Sequence, residues 1–119
     1  MAAFQGQLAN PNDFLNFQAY GTIVLAVSAS SQTATFTSTA SLGATSVLIY
    51  NAGTAVVFVA FGLSTATAVI PSGTTEVAGA TPVAPGAIMV LNKGINYAAV
   101  AVIAAASTGN VYITAGVGA

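Results

Sequence analysis

The chain has 119 residues, 55% of them apolar, and its only charged side chains are Asp13, Glu76 and Lys93, so it has the length of one domain and little of the charge of a water-facing one. Cys and His are absent, which excludes disulfides, thiolate or imidazole metal sites and the Ser–His and Cys–His nucleophilic pairs. One Lys and no Arg leave almost nothing to neutralise phosphates, so nucleic acid is not expected as a direct partner.

Residues Met1 to Tyr20 differ from the rest. They carry Gln5, Gln7, Asn10, Asn12, Asn16 and Gln18, with Pro11 interrupting any helix, yet Phe4, Phe14, Phe17 and Tyr20 also lie here. Disordered segments are poor in aromatics, so this composition reads as an N-terminal arm, residues 1–20, whose aromatics dock on a neighbouring subunit. A first strand folded back on its own domain is the alternative. Residues 21–119 are expected to form the domain proper.

From Gly21 the pattern is that of strands. In Thr22 to Ser28, Ile23, Leu25 and Val27 share one face, and Gln32 to Ser38 alternates Thr33, Thr35 and Thr37 with Ala34 and Phe36. Thr suits a strand and still bonds water, so it substitutes for charge on a wet face. The run Thr45 to Gly62 reads as two strands joined by Asn51-Ala52-Gly53 in a hairpin. Its second half is apolar on both sides: Val56, Phe58 and Ala60 point one way, and Ala55, Val57, Val59 and Phe61 the other. One side fits the core and the other needs a cover from another chain, so Val57, Val59 and Phe61 join Phe4, Phe14, Phe17 and Tyr20 as expected interface residues.

Leu63 to Ile70 reads as a loop and a short strand. Thr74 to Gly86 is irregular, and Pro82 and Pro85 exclude a central strand there. Ala87 to Leu91 is a short apolar strand, and Asn92-Lys93-Gly94 a turn with Lys93 exposed. Asn96 to Ala104 and Asn110 to Thr114 are expected to pair as a final hairpin, and Ala115 to Ala119 is flexible in composition. Seven or eight short strands at ~8–12-residue spacing give an all-β fold, an antiparallel β-sandwich of jelly-roll-like type.

No candidate chemistry survives this reading. Asp13 lies in the polar arm and Glu76 in a Thr-rich connection, so neither is placed to shift the other. Lys93 accompanies no nucleophile motif, and Gly116-Val117-Gly118 precedes no helix that would bind phosphate. The chain is expected to be no enzyme, with no catalytic residues, metal, cofactor or small-molecule substrate. Tyr97 to Ala106 is the longest apolar run and falls short of the ~20 residues of a membrane helix, and Met1 to Gln7 lacks the basic residue of an export signal, so no membrane partner is expected.

Near-zero charge and a strand with two greasy sides point to a structural subunit that self-associates in a larger particle. A glycan-binding sandwich stacking sugars on Tyr20, Tyr50, Tyr97 and Tyr112 is the competing reading.

The run from Val47 to Gly62, with Pro71-Ser72-Gly73, Pro85-Gly86-Ala87, Ala98 to Ala101 and Gly109 to Gly116, resembles small virion proteins of tailed bacteriophages, in particular capsid decoration (cement) proteins. The likeness is one of pattern and spans roughly Thr45 to Gly118. It implies a β-sandwich on the capsid surface of a virion, made in the host cytoplasm, that binds the major capsid protein and bridges its copies. A tail or neck subunit of the same virion is the alternative, and the family carries no catalytic residues to transfer.

Overall fold

The computed structural model describes residues 18–78 and 80–117. Eight strands, all paired antiparallel, make two four-stranded sheets: β1 (Gln18–Val27), β8 (Gly109–Val117), β3 (Ser46–Asn51) and β6 (Ile88–Asn92) in the first, and β2 (Gln32–Thr35), β7 (Ala99–Ile103), β4 (Val57–Gly62) and β5 (Thr81–Val83) in the second, each in that spatial order. One helical turn, α1 (Thr39–Leu42), is capped by Ser38, whose hydroxyl accepts from the Ser41 N–H at 3.0 Å. The expected all-β sandwich is what the chain forms.

Alternation places the core. Val27, Val47, Ile49, Val111, Ile113 and Ala115 of the first sheet meet Val57, Val59, Val100 and Val102 of the second, with Phe36 and Val83 closing the edges. These β-branched side chains pack in the ~10 Å between two facing sheets and lose little rotamer freedom there.

The order of pairing departs from the sequence expectation. The run Thr45 to Gly62 is no hairpin: β3 and β4 lie in opposite sheets and face each other through the core. β7 and β8 are likewise split between the sheets. Among the described residues β4 and β5 are the one pair of consecutive strands that hydrogen-bond to each other. The pairings β1–β8, β2–β7, β3–β6 and β4–β5 instead describe a long antiparallel ribbon, folded over so that β3–β8 and β4–β7 close the two sheets.

Asn51 explains the first crossing. Its buried amide donates to the carbonyls of Ala55 (2.9 Å) and Val83 (3.0 Å) and accepts from the Gly53 N–H (3.0 Å), which turns the chain across the layers. Other expectations also shift. β1 begins at Gln18, so the boundary expected at residues 20 and 21 falls inside a strand. Leu63 to Ile70 contains no strand, and Ala115 to Val117 belong to β8, where β1 and β3 supply the order that Ala and Gly lack. Pro82 lies on β5, an edge strand, where a missing N–H costs no ladder bond.

Candidate interaction surfaces

Among the described residues nothing covers the outer face of the first sheet. Val24, Tyr112, Tyr50 and Ile88 are in register across all four of its strands and are 51%, 36%, 37% and 63% exposed. The two tyrosine rings stack, with centroids 6.0 Å apart and planes 19° from parallel, so the row presents a preformed, rigid apolar strip. Alongside runs a second row, Thr22, Thr114, Leu48 and Val90, in which Thr22 Oγ1 and Thr114 Oγ1 hydrogen-bond at 2.9 Å. Neither row carries a charge.

On the second sheet the outer face is covered by the chain itself. Ala66 and Ala68 pack on Ala60 and Ala101, beside Ile103. Thr33 Oγ1 donates to the Ala66 carbonyl at 3.0 Å, and the Ala68 N–H donates to Ser31 Oγ at 2.9 Å. The turn into this cover is tight: a Cβ on Gly62 would overlap the Thr65 carbonyl. Part of the surface expected to need another chain is thus sheltered by Leu63 to Ala68, and only small side chains fit beneath.

The expected site residues separate accordingly. Val57 and Val59 are buried in the core, and Phe61 is half-buried against it, because period-2 geometry turns this side of β4 inward and leaves Phe58 and Ala60 outside. They are core residues in this chain, which corrects their assignment to an interface. Phe4, Phe14 and Phe17 lie outside the described residues. Tyr20 is exposed and walls a pocket of about 200 Å³ with Thr22, Thr35, Phe36, Ser38 and Ser41, where β1 meets the end of β2. The pocket is lined by hydroxyl side chains and the exposed Tyr20, with no charged residue. Sequence reasoning missed the Tyr50–Tyr112 pair, whose signal was two Tyr at outward positions of strands whose adjacency only the topology reveals.

Lys93 is the largest departure. Expected on an exposed turn, it is 3% exposed. Its ammonium donates to the carbonyls of Tyr97 (2.8 Å), Leu42 (3.2 Å) and Gly94 (3.2 Å) and sits 5.3 Å from the centre of the Phe36 ring. Three N–H donors meet three carbonyls, one of them at the negative end of α1, and a ring face takes part of the remaining field. Burial pushes its pKa below the ordinary lysine value of 10.5. The cage ties α1, the end of β6 and the Tyr97 turn together, a structural task with no substrate-facing side.

Among the described residues no three His, Cys, Asp or Glu side chains gather to hold a metal, and no helix is long and apolar enough to cross a membrane. Glu76 is exposed on its loop, and Asp13 lies outside the described residues. Compared with known proteins, the chain matches no family model, no curated protein and no solved structure.

Proposed function

We propose that this protein is a non-enzymatic structural subunit of a virion, a capsid decoration protein that binds the major capsid protein and stabilises its shell. The observation that carries the reading is the open row Val24–Tyr112–Tyr50–Ile88, an uncharged apolar strip on a surface that has almost no charge to keep copies apart. The ribbon pairing supports it: this is how the strands of a jelly roll are connected, and jelly rolls build viral capsid domains as well as lectins. A shared topology does not fix a function, so the argument rests on the surface.

The mechanism is adhesive. Each copy covers a joint between shell subunits, and burial at ~25 cal/mol per Å² of apolar surface, multiplied over many copies, resists pressure from within. Phe4, Phe14 and Phe17 act as further anchors ahead of β1. Mass spectrometry of purified particles tests the proposal. A copy number comparable with that of the shell protein is expected. A small fraction of it would move the chain to the tail or neck, and absence from particles would refute the virion reading. Deleting residues 1–17 leaves β1 whole, and is expected to leave the sandwich folded while lowering attachment.

The pocket beside Tyr20 favours a second reading, a site for a neutral sugar, through its hydroxyls and the exposed Tyr20 ring. Retardation on immobilised saccharide that is lost in Tyr20→Ala would support it.

A further inference from the structure

We propose that the outer edge of β1, which no described strand pairs with, is a self-association surface that joins two copies of this chain antiparallel about a two-fold axis at Val24. The inference goes beyond the virion reading and holds with or without it.

The backbone geometry selects the residues. The Ala52 N–H donates to the Asn110 carbonyl, so Ala52–Asn110 and every second pair from it carry the bonds between β3 and β8. β8 therefore turns Asn110, Tyr112 and Thr114 toward β3, and Val111, Ile113 and Ala115 toward β1. The bonds from Asn51 N–H to the Ala87 carbonyl and from Lys93 N–H to the Thr45 carbonyl agree, since they turn the intervening residues of β3 toward β6. On β1 the partners Leu25, Ile23 and Gly21 bond inward. The N–H and C=O groups of Thr22, Val24 and Ala26 consequently point off the sheet.

The other edges are blunted. β5 has 3 residues, one of them Pro82. β2 has 4, and its flank is held where Thr33 donates to the Ala66 carbonyl and Ser31 Oγ accepts from the Ala68 N–H. β6 has 5. β1 has 10, with no charge and no Pro, and its single irregularity between Ala19 and Gly21 leaves Gly21–Val27 regular. Such an edge is a template for another strand.

A second copy fits this template. Thr22 and Ala26 are spaced symmetrically about Val24, so an antiparallel β1 sets Val24 against the second copy's Val24, and Thr22 against its Ala26, each pair exchanging both N–H···O bonds. The side chains at the axis are small and uncharged, so nothing repels. The strip Ile88–Tyr50–Tyr112–Val24 then runs without a break into its copy, and Val24, 51% exposed in the single chain, is flanked on its open side.

The 119-residue chain has no cysteine, so Val24→Cys supplies one thiol at the axis. Directly opposed residues of a bonded antiparallel pair have Cα atoms ~5.5 Å apart, within disulfide reach. Under mild oxidation Val24→Cys is expected to give at least about tenfold more covalent dimer than Ile88→Cys on the opposite edge of the sheet. In sedimentation the wild type is expected to show a concentration-dependent dimer, Val24→Lys and Val24→Asp each a monomer, and their equimolar mixture a dimer again. Equal cross-linking of the two cysteine variants, or a Val24→Lys chain that dimerises like the wild type, would overturn the proposal. So would a wild type monomeric at every concentration that dimerises once residues 1–17 are deleted, which would assign this edge to the chain's own N-terminal segment.

Discussion

At one end of the sandwich Asn51 ties the layers together with a neutral amide, and at the other Lys93 does so with a charge. Both side chains are buried and both bind backbone carbonyls. The amide has donors and an acceptor, so Asn51 also takes the Gly53 N–H and satisfies a turn that presents both kinds of group. An ammonium only donates, and Lys93 accordingly sits where three carbonyls converge and no N–H does. Their different chemistry has a consequence outside. Spending its one cation on an internal tie leaves Glu76 as the only charged side chain at the surface among the described residues. A single charge on the described surface gives little repulsion between copies, which favours the associations proposed above.

At the Asn51 end the point least tolerant of substitution is a backbone contact. Gly109 has φ +129°, and a Cβ there would lie 2.8 Å from Gly53 Cα. Gly109→Ala adds strain of about 1–2 kcal/mol to an overlap that costs about 1–3 kcal/mol, so a loss of roughly 3–4 kcal/mol is expected in urea unfolding. A loss below about 1 kcal/mol would mean that this end relaxes easily around an added methyl group. Next in size is Asn51→Ala, which strands the Val83 carbonyl and frees the Ala55 and Gly53 groups. At about 1–3 kcal/mol for a buried group left unpaired, a loss near 3 kcal/mol is expected. Asn51→Asp, which keeps the acceptor but loses the donors and adds a buried charge, should be no better.

The sequence announces the sandwich and hides its wiring for one reason. In β1 the alternation of Ile23, Leu25 and Val27 with Thr22, Val24 and Ala26 fixes which side faces the core, because side-chain direction is a local property of a strand. Whether a short loop returns the chain beside itself or across to the other sheet is not local. Asn51-Ala52-Gly53 suits a hairpin, and what sends it across is the Val83 carbonyl, 32 residues away, that accepts from Asn51. Lys93 was obscured in the same way. Asn-Lys-Gly has the composition of a wet turn, and the carbonyl of Leu42 and the ring of Phe36 that bury the lysine come from 51 residues away and from the far side of α1. Along Leu63 to Ile70, alternating Thr and Ala look like a strand, and the alternation serves instead to press Ala66 and Ala68 onto Ala60 and Ala101.

The Lys93 end offers a finer test of the comparison. Lys93→Met keeps the buried stem and relieves the cost of burying a charge, but it strands the carbonyls of Leu42 and Tyr97, so a net loss of about 1–2 kcal/mol is expected at pH 7. The pH dependence is more telling. Burial lowers the pKa of Lys93 in the folded chain, so between that lowered value and 10.5 the unfolded chain holds a proton that the folded chain has released. Stability then rises with pH across this window, and the contribution is complete above 10.5 and lost as pH falls through the lowered value. Subtracting the unfolding free energy of Lys93→Met at each pH cancels every other titration. The difference should move in favour of the wild type as pH rises, and a flat difference would show that the three carbonyls and the ring offset burial in full.

The smallest expected effect is a gain, and it lies at the Asn51 end. Thr108 gives its carbonyl to the Thr54 N–H at 3.0 Å, but its own hydroxyl is buried with no partner among the described residues. Thr108→Val keeps the shape and removes the unpaired group. Since an unsatisfied buried hydroxyl costs about 1–3 kcal/mol and the site is half-exposed, a gain near 1 kcal/mol is expected, read as a higher urea midpoint at unchanged slope. A loss instead would mean that the Thr108 hydroxyl bonds a solvent molecule worth keeping. The Asn51 end would then be closed with the help of water, and its contrast with the cage of carbonyls around Lys93 would be sharper still.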